Sequence, residues 1–316
     1  NILLKEGATL NLHGTNAGGD VNALRLKSDN TGPDTFVTVR AIYGEIDIRS
    51  TEITSWDSAA AGPDLNTDNG RAFLAVRSYL APDGVTPLQS RMDIFSSDIG
   101  YLGSHNSEAY GLTWKAAGYG AELHSRLQVY GDVADSRIHH NYFGIYTWGA
   151  YGMNIVRNET DNNIGYGIDP HDDSNNLLIE GNYSHDNGWH GIIGSQRCNN
   201  IIIRNNVSNN NGKHGIMLHR SSNNGLIVDN IVENNGEMGI AVFESFNATI
   251  RNNTVSGNLT GIRFSMGAGD SLVENNRIYL NREYGISTIM GSDPRRSTTV
   301  APRAVPSGGT KSTTTA

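Results

Sequence analysis

Residues 166–174 read YGIDPHDDS and bring a phenol, three carboxyl groups and an imidazole together in a stretch with the character of a β-strand. The imidazole of His171 is well suited to take up a proton near neutral pH, and the phenol of Tyr166 can return one. Asp169 precedes His171 by two residues, so both side chains lie on the same face of an extended strand. The stretch therefore predicts proton-transfer chemistry, provided that this face points outward.

The chain that surrounds this stretch is a repeat. A glycine followed by isoleucine recurs at intervals of 23, 24, 24, 24, 22 and 24 residues, and an asparagine recurs in step. The glycines are Gly144, Gly167, Gly191, Gly215, Gly239, Gly261 and Gly285, and the asparagines are Asn158, Asn182, Asn206, Asn230, Asn253 and Asn276. A fixed period with short strands and Gly/Asn corners is typical of a solenoid.

We therefore predict an all-β fold, a right-handed parallel β-helix with two or three strands of four to six residues in each coil. The L-x-x-L-x-L spacing of a leucine-rich repeat, the main alternative, is absent. We expect the corner asparagines to hydrogen-bond along the solenoid and to tolerate left-handed backbone angles.

A single β-helix domain is predicted for residues 1–294. Residues 36–150 repeat less regularly, and residues 57–70 have the composition of a loop insertion. Residues 295–316 are rich in Ser, Thr and Pro and are predicted to be a linker or a disordered tail.

Composition limits the partners of this domain. The 316 residues are 37% hydrophobic, enough for a sizeable core, and the net charge is −8. A negative balance disfavours nucleic acid and anionic membrane surfaces, and no apolar run reaches membrane-spanning length. The single Cys198 excludes an internal disulfide. The chain opens at Asn1 on a strand pattern without a signal peptide; we expect that it has been trimmed, so this absence is uninformative about compartment.

The repeat also predicts which side chains face outward. The residue after each glycine is apolar and faces the interior, so the residues two and four positions after it face outward. The former read Tyr146, Asp169, Ile193, Met217, Ala241 and Arg263, and the latter Trp148, His171, Ser195, His219, Phe243 and Ser265. Flanking positions add Tyr166, His190 and His214 at the strand edge, Arg197 and Arg220 past the strand ends, and Lys115 on an earlier coil.

A solvated face is the usual explanation for such a stripe, but solvated faces normally carry Thr, Ser, Lys and Glu rather than His and Trp. Zinc would need His171, His190, His214 and His219 to converge, and no H-x-H or H-E-x-x-H pair presents two ligands together. Calcium could bind Asp and Asn residues of the corners, although no EF-hand loop or glycine-rich nonapeptide repeat is present. We therefore expect no cofactor.

A groove lined by aromatic and cationic side chains suits a linear anionic polysaccharide, because aromatic rings cover sugar rings and Arg or Lys pairs with carboxylates. Removal of the proton next to a uronate carboxylate needs a base, an acid and a cation that neutralises the developing charge. A glycosidase would instead pair carboxyl groups, for example those of Asp169, Asp172 and Asp173. Alternation predicts, however, that Asp172 faces away from Asp169 and His171.

The motif YGIDPHD at 166–172 is similar to the Y-G-F/I-D-P-H-D/E motif of the mannuronan (alginate) C5-epimerases. HGII at 190–193, FGIYTW at 143–148 and ITSWDS at 53–58 support a resemblance to the calcium-independent type of this family, over residues 36–290. The resemblance implies a secreted or periplasmic β-helix enzyme, a monomer, that converts β-D-mannuronate into α-L-guluronate in polymannuronate.

The resemblance also implies roles. His171 would match the base that removes the C5 proton and Tyr166 the acid that returns one from the opposite face, while Asp169 and Asp172 would support them. Binding of the polysaccharide would fall to Asp172, His190, His214, His219, Arg220, Lys115, Trp148 and Tyr146. The family's neutralising arginine follows the HGII strand, where this chain has Gln196 and then Arg197, so Arg197, Arg220 and Lys115 are all candidates. The family's basic residue after DPHD is Asp173 here.

Two other functions remain open from the sequence. A polyuronate (alginate) lyase would use the same base but expel the 4-linked sugar by β-elimination. A non-catalytic glycan-binding β-helix would need the aromatics and cations without the His-Tyr-Asp combination, so YGIDPHD counts against it. The sequence does not separate an epimerase from a lyase.

Overall fold

The computed structural model describes residues 1–289 and a strand at 311–312. Short strands follow one another through the whole of residues 1–289. The first part of the chain has longer and less regular strands. They are β1 (Ile2–Leu4), β2 (Ala8–His13), β3 (Ala23–Lys27), β4 (Thr38–Ile42), β5 (Gly44–Arg49), β6 (Glu52–Asp57), β7 (Gly62–Pro63), β8 (Phe73–Leu80), β9 (Pro87–Leu88), β10 (Arg91–Phe95), β11 (Asp98–Gly100), β12 (Gly111–Ala116), β13 (Val133–Ala134) and β14 (Arg137–His139). A 3-10 turn at Thr15–Ala17 and helix α1 (Ala121–His124) interrupt them.

The second part is more regular. Its strands are β15 (Phe143–Trp148), β16 (Asn154–Val156), β17 (Glu159–Asp161), β18 (Ile168–His171), β19 (Leu178–Glu180), β20 (Tyr183–His185), β21 (Ile192–Ser195), β22 (Ile202–Arg204), β23 (Val207–Asn209), β24 (Ile216–His219), β25 (Leu226–Val228), β26 (Ile231–Glu233), β27 (Met238–Phe243), β28 (Thr249–Arg251), β29 (Thr254–Ser256), β30 (Thr260–Ser265), β31 (Leu272–Glu274), β32 (Arg277–Tyr279), β33 (Tyr284–Ile289) and β34 (Lys311–Ser312).

These strands stack into three parallel sheets, so the predicted parallel β-helix is confirmed. Sheet A contains β1, β4, β8, β12, β15, β18, β21, β24, β27, β30 and β33; sheet B contains β2, β5, β10, β13, β16, β19, β22, β25, β28 and β31; sheet C contains β3, β6, β11, β14, β17, β20, β23, β26, β29, β32 and β34. Two short strands pair antiparallel at the side, β7 with β6 and β9 with β8. The predicted insertion at 57–70 includes β7, and the predicted tail at 295–316 lies outside the described residues except for β34.

Many strands of sheets B and C have three residues, fewer than predicted, because residues in the left-handed region end them. Arg157 (φ 53°) and Asn162 (φ 52°) flank β17 in this way. At this corner the left-handed residue is Arg157, and the next residue, Asn158, contributes its side chain to the ladder. Asn158 Nδ2 donates to Asn182 Oδ1 at 3.0 Å. The predicted asparagine ladder is therefore confirmed, but the left-handed angle belongs to its neighbour.

The interior of sheet A is a ladder of fully buried isoleucines, Ile145, Ile168, Ile192, Ile216, Ile240 and Ile262. The repeated glycine before each isoleucine allows the coils to approach closely. A Cβ added at Gly191 would lie 2.9 Å from the carbonyl oxygen of Gly215 on the next coil. Because this ladder fixes the register, it also fixes which side chains of sheet A face outward. Among the described residues, no helix has both the length and the apolar character that a membrane crossing requires.

Candidate active site

The outer face of sheet A carries the stripe that the repeat predicted. Tyr146 pairs with Asp169 on neighbouring strands, and Trp148 pairs with His171. His171 in turn pairs with Ser195, and Ser195 with His219. Alternation along β18 therefore places Asp169 and His171 on the outer face, as expected.

His171 is the last residue of β18, and its side chain is 24% exposed. Its Nδ1 lies 2.6 Å from Oδ2 of Asp172, and its ring is stacked beside that of Trp148 with centroids 6.1 Å apart. Burial by itself would lower the pKa of His171, but the hydrogen bond to Asp172 and the charge of Asp169 raise it above 6.5. When Nδ1 donates to the carboxylate, the neutral ring has its lone pair on Nε2, which is the state of a base.

The prediction that Asp172 faces away from His171 is wrong. Strict alternation holds only inside an extended strand, and the strand ends at His171 because Asp172 and Asp173 have φ of 33° and 60°. These left-handed angles return the Asp172 carboxylate to the side of the imidazole. Asp172 therefore orients His171 within the site.

Asp169 is 1% exposed, so the prediction that it stands at the solvent-facing surface is also wrong. Tyr146 pairs with Asp169 on the neighbouring strand, and its ring packs against that of Tyr110 with centroids 4.8 Å apart. The negative charge of Asp169 contributes to the raised pKa of Tyr110, Tyr146 and Tyr166, although burial is the larger cause in each. Neither carboxyl oxygen of Asp169 has a hydrogen-bond partner among the described residues. Burial raises its pKa to about 7. Buried carboxyl groups without partners are rare and are characteristic of functional sites.

Tyr166 lies at the edge of the same strand and is half-buried. Its ring packs against Phe143 at 4.7 Å, Trp189 at 5.0 Å and, stacked, His190 at 5.3 Å. Burial raises the pKa of Tyr166 well above its usual value, so the phenol keeps its proton at neutral pH. Tyr146 is also protonated for the same reason, and its ring lies 6.0 Å from that of His171.

The three candidate cations differ in their partners. Lys115 is buried, pairs with Glu108 at 2.6 Å and lies over the Trp148 ring at 4.3 Å. Arg197 donates to Asp173 at 2.8 and 2.9 Å and to Asp172 at 3.0 Å. The structure therefore places two of the three cations in ion pairs with carboxylates of the chain itself.

Arg220 is exposed and makes no ion pair with a carboxylate in the described part of the chain. It follows His219 at the corner, where it occupies in its coil the position that Gln196 occupies one coil earlier, since Ser195 pairs with His219. The positive charge of Arg220 lowers the pKa of both His171 and Tyr166, as minor contributions against larger effects of burial and nearby carboxylates. An arginine is thus present at the expected corner, displaced by one coil.

His190 and His214 form a stacked ladder with ring centroids 4.6 Å apart. Nδ1 of His190 accepts the backbone N–H of His214 at 3.1 Å, and Nδ1 of His214 accepts that of Met238 at 3.3 Å. Burial lowers the pKa of His190 to about 2 and that of His214 to about 4. Both rings are therefore neutral. Their hydrogen bonds to backbone N–H groups join neighbouring coils. His219, whose pKa burial lowers to about 4, lies closer to solvent and approaches Ser195 Oγ with its Nδ1 at 3.4 Å.

The four histidines considered for zinc do not form a ligand cluster. Within residues 1–289, the group of possible ligands whose atoms lie within 4.8 Å of one another is on sheet C and comprises Glu159, Asp161 and His185. Arg137 already donates to both oxygens of Asp161, at 3.0 and 2.9 Å. A guanidinium thus occupies the position that a cation would take there. The expectation that the site needs no cofactor stays a prediction.

Sequence reasoning missed His124. It lies on α1 in an irregular loop, outside the repeat register, yet its Nδ1 reaches Oδ2 of Asp173 at 3.1 Å and both side chains are 1% exposed. Because no periodic position corresponds to it, no sequence signal relates it to the DPHD strand. Sequence reasoning also missed Tyr110 and Glu108, because they approach the stripe from another loop that has no repeat register.

Two family models match the chain. One is described as a right handed beta helix region and matches residues 99–227, and the other as periplasmic copper-binding protein (NosD) and matches residues 193–296. The first agrees with the predicted hand and architecture of the solenoid.

Three curated relatives are named mannuronan C5-epimerases. Those of Pseudomonas fluorescens, Pseudomonas aeruginosa and Azotobacter vinelandii are 32%, 31% and 31% identical over 44%, 58% and 58% of this chain. The matched segments span 25%, 31% and 31% of those relatives, so the chain corresponds to about a third of their length or less.

Solved structures show the same fold. The periplasmic alginate epimerase AlgG superposes with a TM-score of 0.72 at 24% identity, over 87% of this chain and 67% of that one. The A-module of an Azotobacter vinelandii mannuronan C-5 epimerase superposes with a TM-score of 0.56 at 10% identity, over 98% and 90% of the two chains. These comparisons confirm that the chain is a right-handed parallel β-helix that resembles the mannuronan C5-epimerases.

Proposed function

We propose that this chain is a C5-epimerase that converts β-D-mannuronate into α-L-guluronate within polymannuronate. The observation that carries the proposal is the arrangement around His171, in which one imidazole is oriented by Asp172 beside a buried, unpartnered carboxyl group, Asp169. Protonated tyrosines and an unpaired arginine complete this arrangement. It provides a base, an acid and a cation on one face of the solenoid, which are the groups that the reaction needs.

In the first step, Nε2 of His171 takes the proton from C5 of a mannuronate unit. The electron pair of the C5–H bond moves onto the carboxylate, which then carries additional negative charge. Asp172 accepts a hydrogen bond from Nδ1–H of the same ring and stabilises the imidazolium that forms.

The additional negative charge needs neutralisation. Arg220 supplies a positive charge that no carboxylate in the described part of the chain pairs with. Asp169, with a pKa of about 7, can keep its proton and donate a hydrogen bond to the substrate carboxylate. Because Asp169 is buried, its hydrogen bond gains strength from the low local dielectric.

In the second step, Tyr166 donates its phenolic proton to C5 from the opposite face. C5 is inverted, the bond to O4 stays intact, and the phenolate and imidazolium are restored by proton exchange with water. The reaction has no redox change and consumes no co-reactant.

The outer face of sheet A continues beyond His171 and offers binding positions for further sugar units. Trp148 and Lys115 occupy this face on the preceding coils, and Arg77 pairs with Lys115 on the next. Coils separated by about 4.8 Å would present these groups along a linear anionic polysaccharide. We include in the proposal that the protein acts as a monomer and without a cofactor. We also propose that it acts in the periplasm or outside the cell, since AlgG is a periplasmic epimerase.

The test is incubation with polymannuronate in deuterated water, followed by proton NMR of the recovered polymer. We expect deuterium at C5 and a growing fraction of guluronate, with His171→Asn as the inactive control. If the polymer keeps its composition and its C5 protons, the proposed function is wrong. If unsaturated chain ends accumulate without inverted units, the chain is a lyase.

A further inference from the structure

His171 is one end of a continuous series of hydrogen bonds that reaches helix α1. Asp172 Oδ2 accepts from His171 Nδ1 at 2.6 Å, and Asp172 Oδ1 accepts from Arg197 at 3.0 Å. Arg197 also donates to both oxygens of Asp173, at 2.8 and 2.9 Å, and His124 closes the series at 3.1 Å from Asp173 Oδ2. Two carboxylates, one guanidinium and two imidazoles thus form one network.

The network joins two coils and one loop. Arg197 stacks on Asp173 across adjacent coils, since the N–H of Asp173 donates to the Gln196 carbonyl at 2.9 Å. His124 approaches from α1, outside the repeat. A displacement of the coil that carries Arg197, or of the loop that carries His124, would therefore move the Asp172 carboxylate.

Burial makes the network sensitive to the loss of any member. The side chains of Asp173 and His124 are each 1% exposed, and that of Asp172 is 5% exposed. Burial by itself would raise the pKa of Asp173, but the hydrogen bonds from His124 and Arg197 lower it below its ordinary value, so Asp173 is ionised. An ionised carboxylate in this position needs both donors, and it holds Arg197 in the one geometry that also reaches Asp172.

The carboxylate of Asp172 depends on this support because the residue lies at a corner of the coil. Its φ of 33° is in the left-handed region, at a corner where the strand has ended. Hydrogen bonds to both neighbouring coils hold its backbone, since its N–H donates to the Ser195 carbonyl at 3.0 Å and its carbonyl accepts from the Gly149 N–H at 2.8 Å. Among the described residues, however, its carboxylate is held by His171 and Arg197 alone.

We propose that Arg197, Asp173 and His124 are positioning residues that hold the Asp172 carboxylate, and through it the imidazole of His171, in the orientation for proton abstraction. They touch neither the substrate nor the reacting atoms. The role rests on the proposed function of His171 as a base. This positioning role explains why Asp173 and Arg197 occur together in this chain, since each neutralises the charge of the other.

The direct test is NMR of histidine-labelled protein, in which the signals of His171 are identified by their absence from His171→Asn. In Arg197→Gln we expect the downfield Nδ1 proton signal of His171 to be lost or broadened, because Asp172 is no longer held. The pKa of His171 should fall, since the hydrogen bond that His171 donates to Asp172 is the largest of the effects that raise it. Neither readout requires activity, so failure of the proposed function and failure of this inference are distinguishable.

A matched control is Arg157→Gln. Arg157 also makes a two-pronged ion pair with a carboxylate, to Asp135 at 2.7 and 2.7 Å, but it is exposed and lies at the corner that follows sheet B. This variant should leave both His171 readouts unchanged. An unchanged signal and pKa in Arg197→Gln would overturn the inference, and so would a pKa that rises, because Asp172 would then hold His171 without Arg197.

Loss of Arg197 alone leaves Asp173 buried with one donor, and the protein can fail to fold for that reason. The double variant Asp173→Asn with Arg197→Gln removes both charges and keeps amides that can hydrogen-bond. It should fold, show the same loss of the His171 signal, and reduce kcat by up to about 10²-fold with little change in KM, since misplaced reacting groups slow chemistry without weakening binding. A purely structural network would lower the melting temperature and leave the pH profile of kcat in place, which would contradict the inference.

His124 extends the test to the loop. His124→Phe fills the same space without a donor to Asp173, whereas His124→Gln retains one. We expect the phenylalanine variant to shift the His171 pKa downward and the glutamine variant to restore most of it. Equal His171 pKa values in the two variants and the unchanged protein would remove His124 from the positioning set.

Discussion

The phenol of Tyr166 and the guanidinium of Arg220 influence each other although they come from different coils. Burial raises the pKa of Tyr166, Asp169 adds to the rise, and the positive charge of Arg220 opposes it. The same charge acts on His171. Arg220 follows His219, which lies two coils beyond His171 in the same register, and its charge reaches both the proposed acid and the proposed base.

This position predicts that Arg220 is the most important of the three candidate cations. Arg220→Gln should reduce kcat/KM by roughly 10²- to 10³-fold, about 3–4 kcal/mol, because the developing negative charge loses its partner. Lys115→Gln is the comparison, since Lys115 is already paired with Glu108, and its effect should be much smaller. Steady-state kinetics on polymannuronate measure both. Equal and mild effects would show that neither cation contacts the reacting carboxylate.

His171→Asn should abolish turnover and leave the fold intact. The side chain faces outward and is 24% exposed, so its truncation creates no cavity in the isoleucine core. Circular dichroism and the thermal transition should match those of the unchanged protein while guluronate formation stops. A large fall in melting temperature would instead identify a structural histidine.

The fold and the position of the candidate catalytic strand could be predicted because both are periodic. Gly191 and Asn182 recur at fixed intervals, so register and outward faces followed from alternation alone. The environment of Asp169 could not, since it depends on Tyr110, which reaches the stripe from a loop with no repeat register. The direction of the Asp172 side chain was predicted wrongly for another reason, since its left-handed φ breaks the alternation on which the prediction relied. Periodicity thus predicts position, whereas burial and corner geometry depend on contacts that it does not encode.

Asp169 predicts an unusual pH dependence of stability. Its folded-state pKa is raised from 3.8 to about 7, so the folded protein binds the proton more tightly than the unfolded chain does. Its contribution is fully present below pH 3.8 and is lost as pH rises through about 7. The loss approaches about 4 kcal/mol, from a shift of about three pKa units. The difference in unfolding free energy between Asp169→Asn and the unchanged protein, measured by denaturant titration, should therefore grow between pH 4 and 7 in favour of the variant. If the difference in unfolding free energy does not change with pH, ionisation of Asp169 does not destabilise the folded protein.

Removal of divalent cations should not affect the reaction. In the proposed site Arg220 supplies the positive charge, and in the three-ligand group on sheet C the guanidinium of Arg137 already pairs with Asp161. Initial rates on polymannuronate should be equal with and without excess EDTA, after dialysis against the chelator. A rate that collapses and returns with added calcium would contradict the proposal of a cofactor-free site.

Tyr166→Phe separates proton return from proton removal. Phenylalanine preserves the packing against Phe143 and Trp189 but lacks the phenolic proton that, in the proposed mechanism, goes to the far face of C5. We expect guluronate formation to stop. His171 remains oriented by Asp172, so it should still remove the C5 proton and return a deuteron from its own side, which gives exchange in deuterated water without inversion. Proton NMR of the polymer detects both events, and absorbance near the ultraviolet band of unsaturated uronates reports elimination. Continued inversion in this variant would move the acid to another group, of which Tyr146, also protonated and 6.0 Å from the His171 ring, is the next to test. Loss of exchange together with inversion would instead show that Tyr166 is required for proton removal itself.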